Sequence, residues 1–166
     1  RQELLADLER LPVVVGDDRV FFSGGYGAGS MMMRLKAEGA KLSSEILFAL
    51  KENVFGAAQQ TPIFYEGAIY GVRPNGELVC LGLDGKVLWT SGTAQRFDLG
   101  PFLIADGLIF VLSGDGRLAL VEASPNAFRL LAEAKLPHGH EAWGPMALAG
   151  SRLIVRDMKH VMCLEV

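Results

Sequence analysis

Gly100-Pro101-Phe102-Leu103-Ile104-Ala105-Asp106-Gly107-Leu108-Ile109-Phe110-Val111 holds a proline, a short apolar run, a tight glycine turn and a second apolar run. The same order stands upstream in Thr61-Pro62-Ile63-Phe64-Tyr65-Glu66-Gly67-Ala68-Ile69-Tyr70-Gly71-Val72. It returns downstream in Gly144-Pro145-Met146-Ala147-Leu148-Ala149-Gly150-Ser151-Arg152-Leu153-Ile154-Val155. A weaker copy runs from Pro12 through Val13-Val14-Val15, the turn Gly16-Asp17-Asp18-Arg19, and Val20-Phe21-Phe22. Short runs of β-branched and aromatic residues between glycine and aspartate turns read as strands.

Working outward, each copy continues alike. Asn75-Gly76-Glu77 and Asp115-Gly116-Arg117 are hairpin-turn sequences, where Gly76 and Gly116 supply positive φ. A third strand is predicted at Leu78 to Leu81, Leu118 to Val121 and Val161 to Leu164, with Met31 to Leu35 in the first copy. A fourth is predicted at Val87-Leu88-Trp89, Ile46-Leu47-Phe48 and Phe128-Arg129-Leu130-Leu131. The prolines recur at intervals of roughly 40 to 50 residues, the period of a four-stranded propeller blade. The runs are more continuously apolar than alternating, as sheets covered on both faces require. The expected fold is therefore all-β: a β-propeller of about four four-stranded antiparallel blades, at 12–52, 53–92, 93–135 and 136–166.

Residues 1–11 stand before the first blade as an N-terminal segment with two readings. Glu3-Leu4-Leu5-Ala6 fits a strand that closes the ring on the last copy, which stops after its third strand. Glu3 to Arg10 is equally a run of good helix formers. The first residue is arginine and not methionine, which reads as a mature form or a fragment.

Half of the 166 residues are hydrophobic and 21% are charged, the composition of a folded domain. The net charge of −3, with Lys and Arg scattered singly, argues against a nucleic-acid partner. No apolar run approaches the length of a membrane-spanning helix. The two cysteines, in Leu78-Val79-Cys80-Leu81 and Val161-Met162-Cys163-Leu164, are expected at equivalent buried strand positions.

Three stretches resemble a known group: Gly82-Leu83-Asp84-Gly85-Lys86-Val87-Leu88-Trp89, Glu141-Ala142-Trp143-Gly144-Pro145-Met146-Ala147-Leu148-Ala149-Gly150 and Phe21-Phe22-Ser23-Gly24-Gly25-Tyr26-Gly27-Ala28-Gly29-Ser30. They are similar to bacterial quinoprotein-like propellers, often labelled pyrroloquinoline-quinone-binding-like repeat proteins. The resemblance implies an eight-bladed ring with this chain as its C-terminal half, and a periplasmic or extracellular location. Its quinone-binding members carry an adjacent cysteine pair and a calcium-binding Glu, Asn and Asp set. Cys80 and Cys163 are far apart and the calcium set has no match, so no cofactor is expected.

In such a fold the loops leading into each inner strand gather at the ring axis, and loops on a rigid frame carry binding groups. Those loops supply the candidate ligand- or partner-binding residues Gln59, Gln60, Arg96, Asp98, His140, Glu141 and Trp143. His138, His140 and Glu141 are metal-ligating types, but neighbours in one loop rarely complete a coordination sphere, and a solvated or loop-bracing role is preferred. Gly24 to Gly29 lacks the following helix of a phosphate loop and reads as a hairpin loop. Met31-Met32-Met33 reads as strand, and no nucleophile motif is present. Trp89, Gly76, Gly116, Pro62, Pro101 and Pro145 are expected to be structural.

The function expected from this pattern is a non-catalytic binding or scaffold propeller that engages a protein or ligand through its axial loops. Its assembly partners would be further blades from a parent chain or a second chain. Two rivals remain: a degenerate quinoprotein oxidoreductase fragment, and a carbohydrate-binding propeller with Trp143, Phe97 and Tyr26 as stacking residues.

Overall fold

The computed structural model describes residues 12–137 and 141–166, and the two readings of residues 1–11 lie outside that range. Fifteen strands form four separate antiparallel sheets with no helix among the described residues. The first sheet is β1 (Val13–Val15), β2 (Arg19–Gly24), β3 (Gly29–Glu38) and β4 (Lys41–Leu50), in that spatial order. The second is β5 (Ile63–Tyr65), β6 (Ala68–Val72), β7 (Leu78–Gly82) and β8 (Val87–Thr90). The third is β9 (Phe102–Ala105), β10 (Leu108–Leu112), β11 (Arg117–Glu122) and β12 (Leu130–Lys135). The fourth has three strands, β13 (Ala147–Ala149), β14 (Arg152–Arg156) and β15 (Val161–Glu165). Every sheet is a simple meander whose strands follow sequence order.

The first strands of successive sheets approach one another, β1 to β5 and β5 to β9, so the sheets stand as blades with β1, β5 and β9 innermost. Between blades lie three apolar cores. Blades one and two share Val15, Phe21, Met32, Phe55, Ile69, Val79 and Leu81. Blades two and three enclose Tyr70, Leu78, Cys80, Trp89, Phe97, Ile109 and Val121. Phe110, Leu112, Leu136, Leu153 and Val155 seal blades three and four. Alternate residues of one strand thus enter different cores: Ile69 faces blade one while Tyr70 faces blade three. This explains the unbroken apolar runs, for every residue of β6 and β7 is buried.

Gly76 and Gly116 have φ of 85° each. The Gly76 amide donates to the Arg73 carbonyl at 2.8 Å and the Gly116 amide to Ser113 at 2.9 Å. The turns thus have four residues, with glycine alone left-handed at the fourth and Asn75 or Asp115 in an ordinary conformation.

Three expectations change. The fourth strand of the third blade is Leu130–Lys135, not Phe128 to Leu131. Phe128 leaves the sheet to pack on Trp89 at 5.7 Å between ring centroids, and an exposed outermost strand needs no apolar run. In the first blade β3 and β4 are ten residues each, far beyond Met31 to Leu35 and Ile46 to Phe48. Their outer halves form an exposed hairpin with charged residues, which hydrophobicity does not mark. Finally, Cys80 is buried and Cys163 exposed. The two hold like places, Cys80 opposite Tyr70 and Cys163 opposite Ile154, but no described blade follows the fourth to cover Cys163.

Candidate functional site

The loops that lead into the inner strands converge at one end of the molecule, because each is tied to the β2–β3-type turn of the preceding blade. The Ala57 amide donates to Ser23 Oγ at 3.0 Å. The Phe97 amide donates to the Gly76 carbonyl at 2.6 Å, and the Leu136 amide to the Gly116 carbonyl at 2.9 Å. Each loop also drives an apolar wedge into the joint below, namely Phe55, Phe97 and Leu136, all buried. Gly100 lets the third loop close: a Cβ there would lie 1.4 Å from the Leu112 carbonyl oxygen.

On this platform Gln60 Nε2 donates to the Trp143 carbonyl at 3.2 Å, which links the loops of blades two and four. Gln59 Nε2 reaches the Tyr26 hydroxyl at 3.4 Å. Asp98, exposed, has φ of 51°, and its carboxylate and the Trp143 indole nitrogen both lie beside Gly114. Arg96 is exposed and pairs through its backbone with Glu77. Glu141 donates its amide to the Gly114 carbonyl at 2.9 Å and is left-handed, φ 57°. His138 and His140 lie outside the described residues, so the His138, His140, Glu141 group is not described further. Among the described residues no three His, Cys, Asp or Glu side chains group as a metal site.

Beside these loops lies a cavity of about 440 Å³, lined by Glu141, Trp143, Gly144, Pro145, Arg156, Asp157 and Met158. Trp143 is 47% exposed and Met158 70% exposed, so both present apolar surface to solvent. Gly144 shapes the wall, since a Cβ there would fall 2.2 Å from Arg156 Nε. The guanidinium therefore lies against bare backbone. An aromatic face, a thioether and a cation in one recess suit an apolar group carrying negative charge.

The structural candidates divide. Pro62 and Pro101 are buried at the feet of β5 and β9, whereas Pro145 is exposed and lines the cavity. Trp89, 8% exposed, donates from its indole nitrogen to the Ser124 carbonyl of the next blade at 2.8 Å. Sequence reading missed Arg117, whose guanidinium donates to Gln95 Oε1 at 2.7 Å and the Arg96 carbonyl at 2.6 Å. It also sits 4.9 Å from the Phe97 ring centre. Its place after the Asp-Gly turn, matching Glu77 in the blade before, was the available signal.

Electrostatics hold the turns below. Burial pushes the Glu77 carboxyl up, but bonds from Arg73 and Asn75 outweigh it and leave Glu77 below its ordinary value. Lys135 and the Ser113 hydroxyl hold Asp115 down at about 2. Burial raises the Cys80 thiol to about 11, against a lowering contact from Tyr70.

No family model matches the sequence, and no curated protein is matched by it. Among solved structures the chain is similar to BamB from Moraxella catarrhalis, with 14% identity and a TM-score of 0.63 over 94% of this chain and 42% of that one. It is similar to the computationally designed Ika8 protein at 10% identity and TM-score 0.62, covering 92% of this chain and 44% of that one. The designed Ika4 protein matches at 10% identity and TM-score 0.61, covering 92% and 88%. The chain thus spans less than half the length of the first two. Identities this low speak to architecture only: the chain has an all-β, propeller-like fold.

Proposed function

We propose that this chain is a non-catalytic binding module that takes a protein segment or ligand at its loop end. The observation that carries the reading is the convergence of three loops from different blades, tied by the Gln60 to Trp143 bond, beside an apolar recess with one cation. Gln59, Gln60, Arg96, Asp98, Glu141 and Trp143 form the rim, and Arg156 and Met158 the far wall. An apolar side chain next to a carboxylate is the chemistry that fits. In the same reading further blades, from a longer parent chain or a second chain, cover the end faces, and the molecule works outside the cytoplasm as the quinoprotein-like resemblance implies.

Selecting peptides from a display library on the folded chain tests it. The bound peptide should lose at least tenfold in affinity on Trp143→Ala or Arg156→Glu, and nothing on Leu88→Lys at the outer rim. Indifference to the loop-end variants would overturn the reading. So would saturable uptake of quinone with calcium accompanied by dye-linked alcohol oxidation, which would establish the oxidoreductase alternative. Glycan binding abolished by Trp143→Ala would establish the carbohydrate alternative.

A further inference from the structure

The four blades have three joints among themselves and two end faces. On the fourth blade Ala147, Ile154 and Cys163 are direct cross-strand partners and make an apolar row, all three exposed. In the third blade the residues alternating along β10 on the matching face are Leu108, Phe110 and Leu112, which enter the next core. Along β14 the same places hold Arg152, Ile154 and Arg156. The exposed face therefore keeps an apolar centre between two cations. A partner blade that covers it must offer an apolar row with an acidic group at the end where Arg152 stands.

The outward face of the first blade meets this requirement. Val14, Val20, Met33 and Ile46 are successive cross-strand partners and form an apolar row across all four strands. Val14 is 68% exposed and Ile46 55% exposed. The β1–β2 turn carries Asp17 and Asp18, both exposed. That turn lies at the same end of its blade as Arg152, which opens β14 directly after the β13–β14 turn. Row matches row and charge matches charge.

We propose that two copies of this chain join head to tail, the fourth blade of each seated on the first blade of the other. Ile154 and Cys163 pack against Val14, Met33 and Ile46, and Arg152 meets Asp17. Two such contacts related by a two-fold axis leave neither face open, whereas a single contact would propagate into an open array. The inference rests on the reading that further blades cover the end faces, and it names their source. It is independent of the loop-end recess.

Sedimentation of the purified 166-residue chain, with maleimide labelling of Cys163, tests it. The expected mass is that of two copies, with Cys163 labelled slowly and faster on dilution. Ile154→Glu should give a monomer with unchanged β circular dichroism and rapid labelling. Arg152→Glu should weaken association at least tenfold, and Asp17→Arg in the same chain should restore it. A monomer with reactive Cys163 at every concentration overturns the pairing but leaves the face open to other blades. A monomer with unreactive Cys163 overturns both, because the face is then closed within one chain. Masses above two copies overturn the two-fold arrangement.

Discussion

Trp89 shows how a single side chain ties two blades and which of its interactions matters more. Its ring packs on Tyr70 and Phe128, with centroids 6.0 Å and 5.7 Å away, while its indole nitrogen meets the Ser124 carbonyl. Trp89→Phe removes the hydrogen bond and should cost about 1 kcal/mol. Trp89→Ala also empties the ring site and should cost about 3–5 kcal/mol. Urea unfolding of both variants checks that packing dominates. Asp115 is a residue-scale case with a pH signature. Its folded value of about 2 lies below the ordinary 3.8, so the stability it contributes is present above pH ~3.8 and fades as pH falls through about 2. Lys135→Met should move the carboxyl titration, followed by NMR, back up toward 3.8, because Lys135 is the main cause of the depression.

At the scale of elements, the lead-in loop between β8 and β9 is held from two sides. Phe97 is fully buried between blades two and three, while Arg117 lies over its ring and ties down Gln95 and Arg96. Phe97→Ala should cost about 3–5 kcal/mol, for it leaves a cavity in a closed joint. Arg117→Ala should cost about 1 kcal/mol, since its partners can turn to water. Gly100→Ala should match or exceed the phenylalanine loss, at about 3 kcal/mol or more, because the new carbon meets backbone that cannot step aside. Thermal and urea unfolding of the three variants gives the order. The exposed outer hairpin of β3 and β4 is the opposite case. Leu42, 70% exposed near its tip, should accept lysine within about 0.5 kcal/mol.

Over the whole molecule, stability is a chain of neighbour contacts, since each blade touches only the blades beside it. Blades two and three are covered on both faces, and β6 and β7 are buried throughout. Among the described residues the fourth blade has three strands and one covered face. Hydrogen exchange should rank the amides accordingly: β6, β7 and β10 open only with global unfolding, while β14 and β15 open earlier. If the fourth blade seats on a second copy, its protection should rise with protein concentration, which joins this measurement to the sedimentation test. Concentration-independent exchange would count against the pairing.

The sequence by itself determined the units and their order. Proline-led runs at a regular interval, glycines where a chain must turn left-handed and apolar residues at every strand position are local properties, and local sterics and hydrophobicity decide them. That reading placed β5 to β7, β9 to β11 and β13 to β15 and recognised the two turns at Gly76 and Gly116. It missed the true extents of β3, β4 and β12, where an exposed strand needs no apolar signature. Only the tertiary structure decided what covers what. Cys80 and Cys163 occupy like places in like strands, yet one is sealed and the other wet, because burial belongs to the neighbouring blade and not to the residue. Likewise Gln60 and Trp143, far apart along the chain, meet only because stacked blades bring their loops to one end.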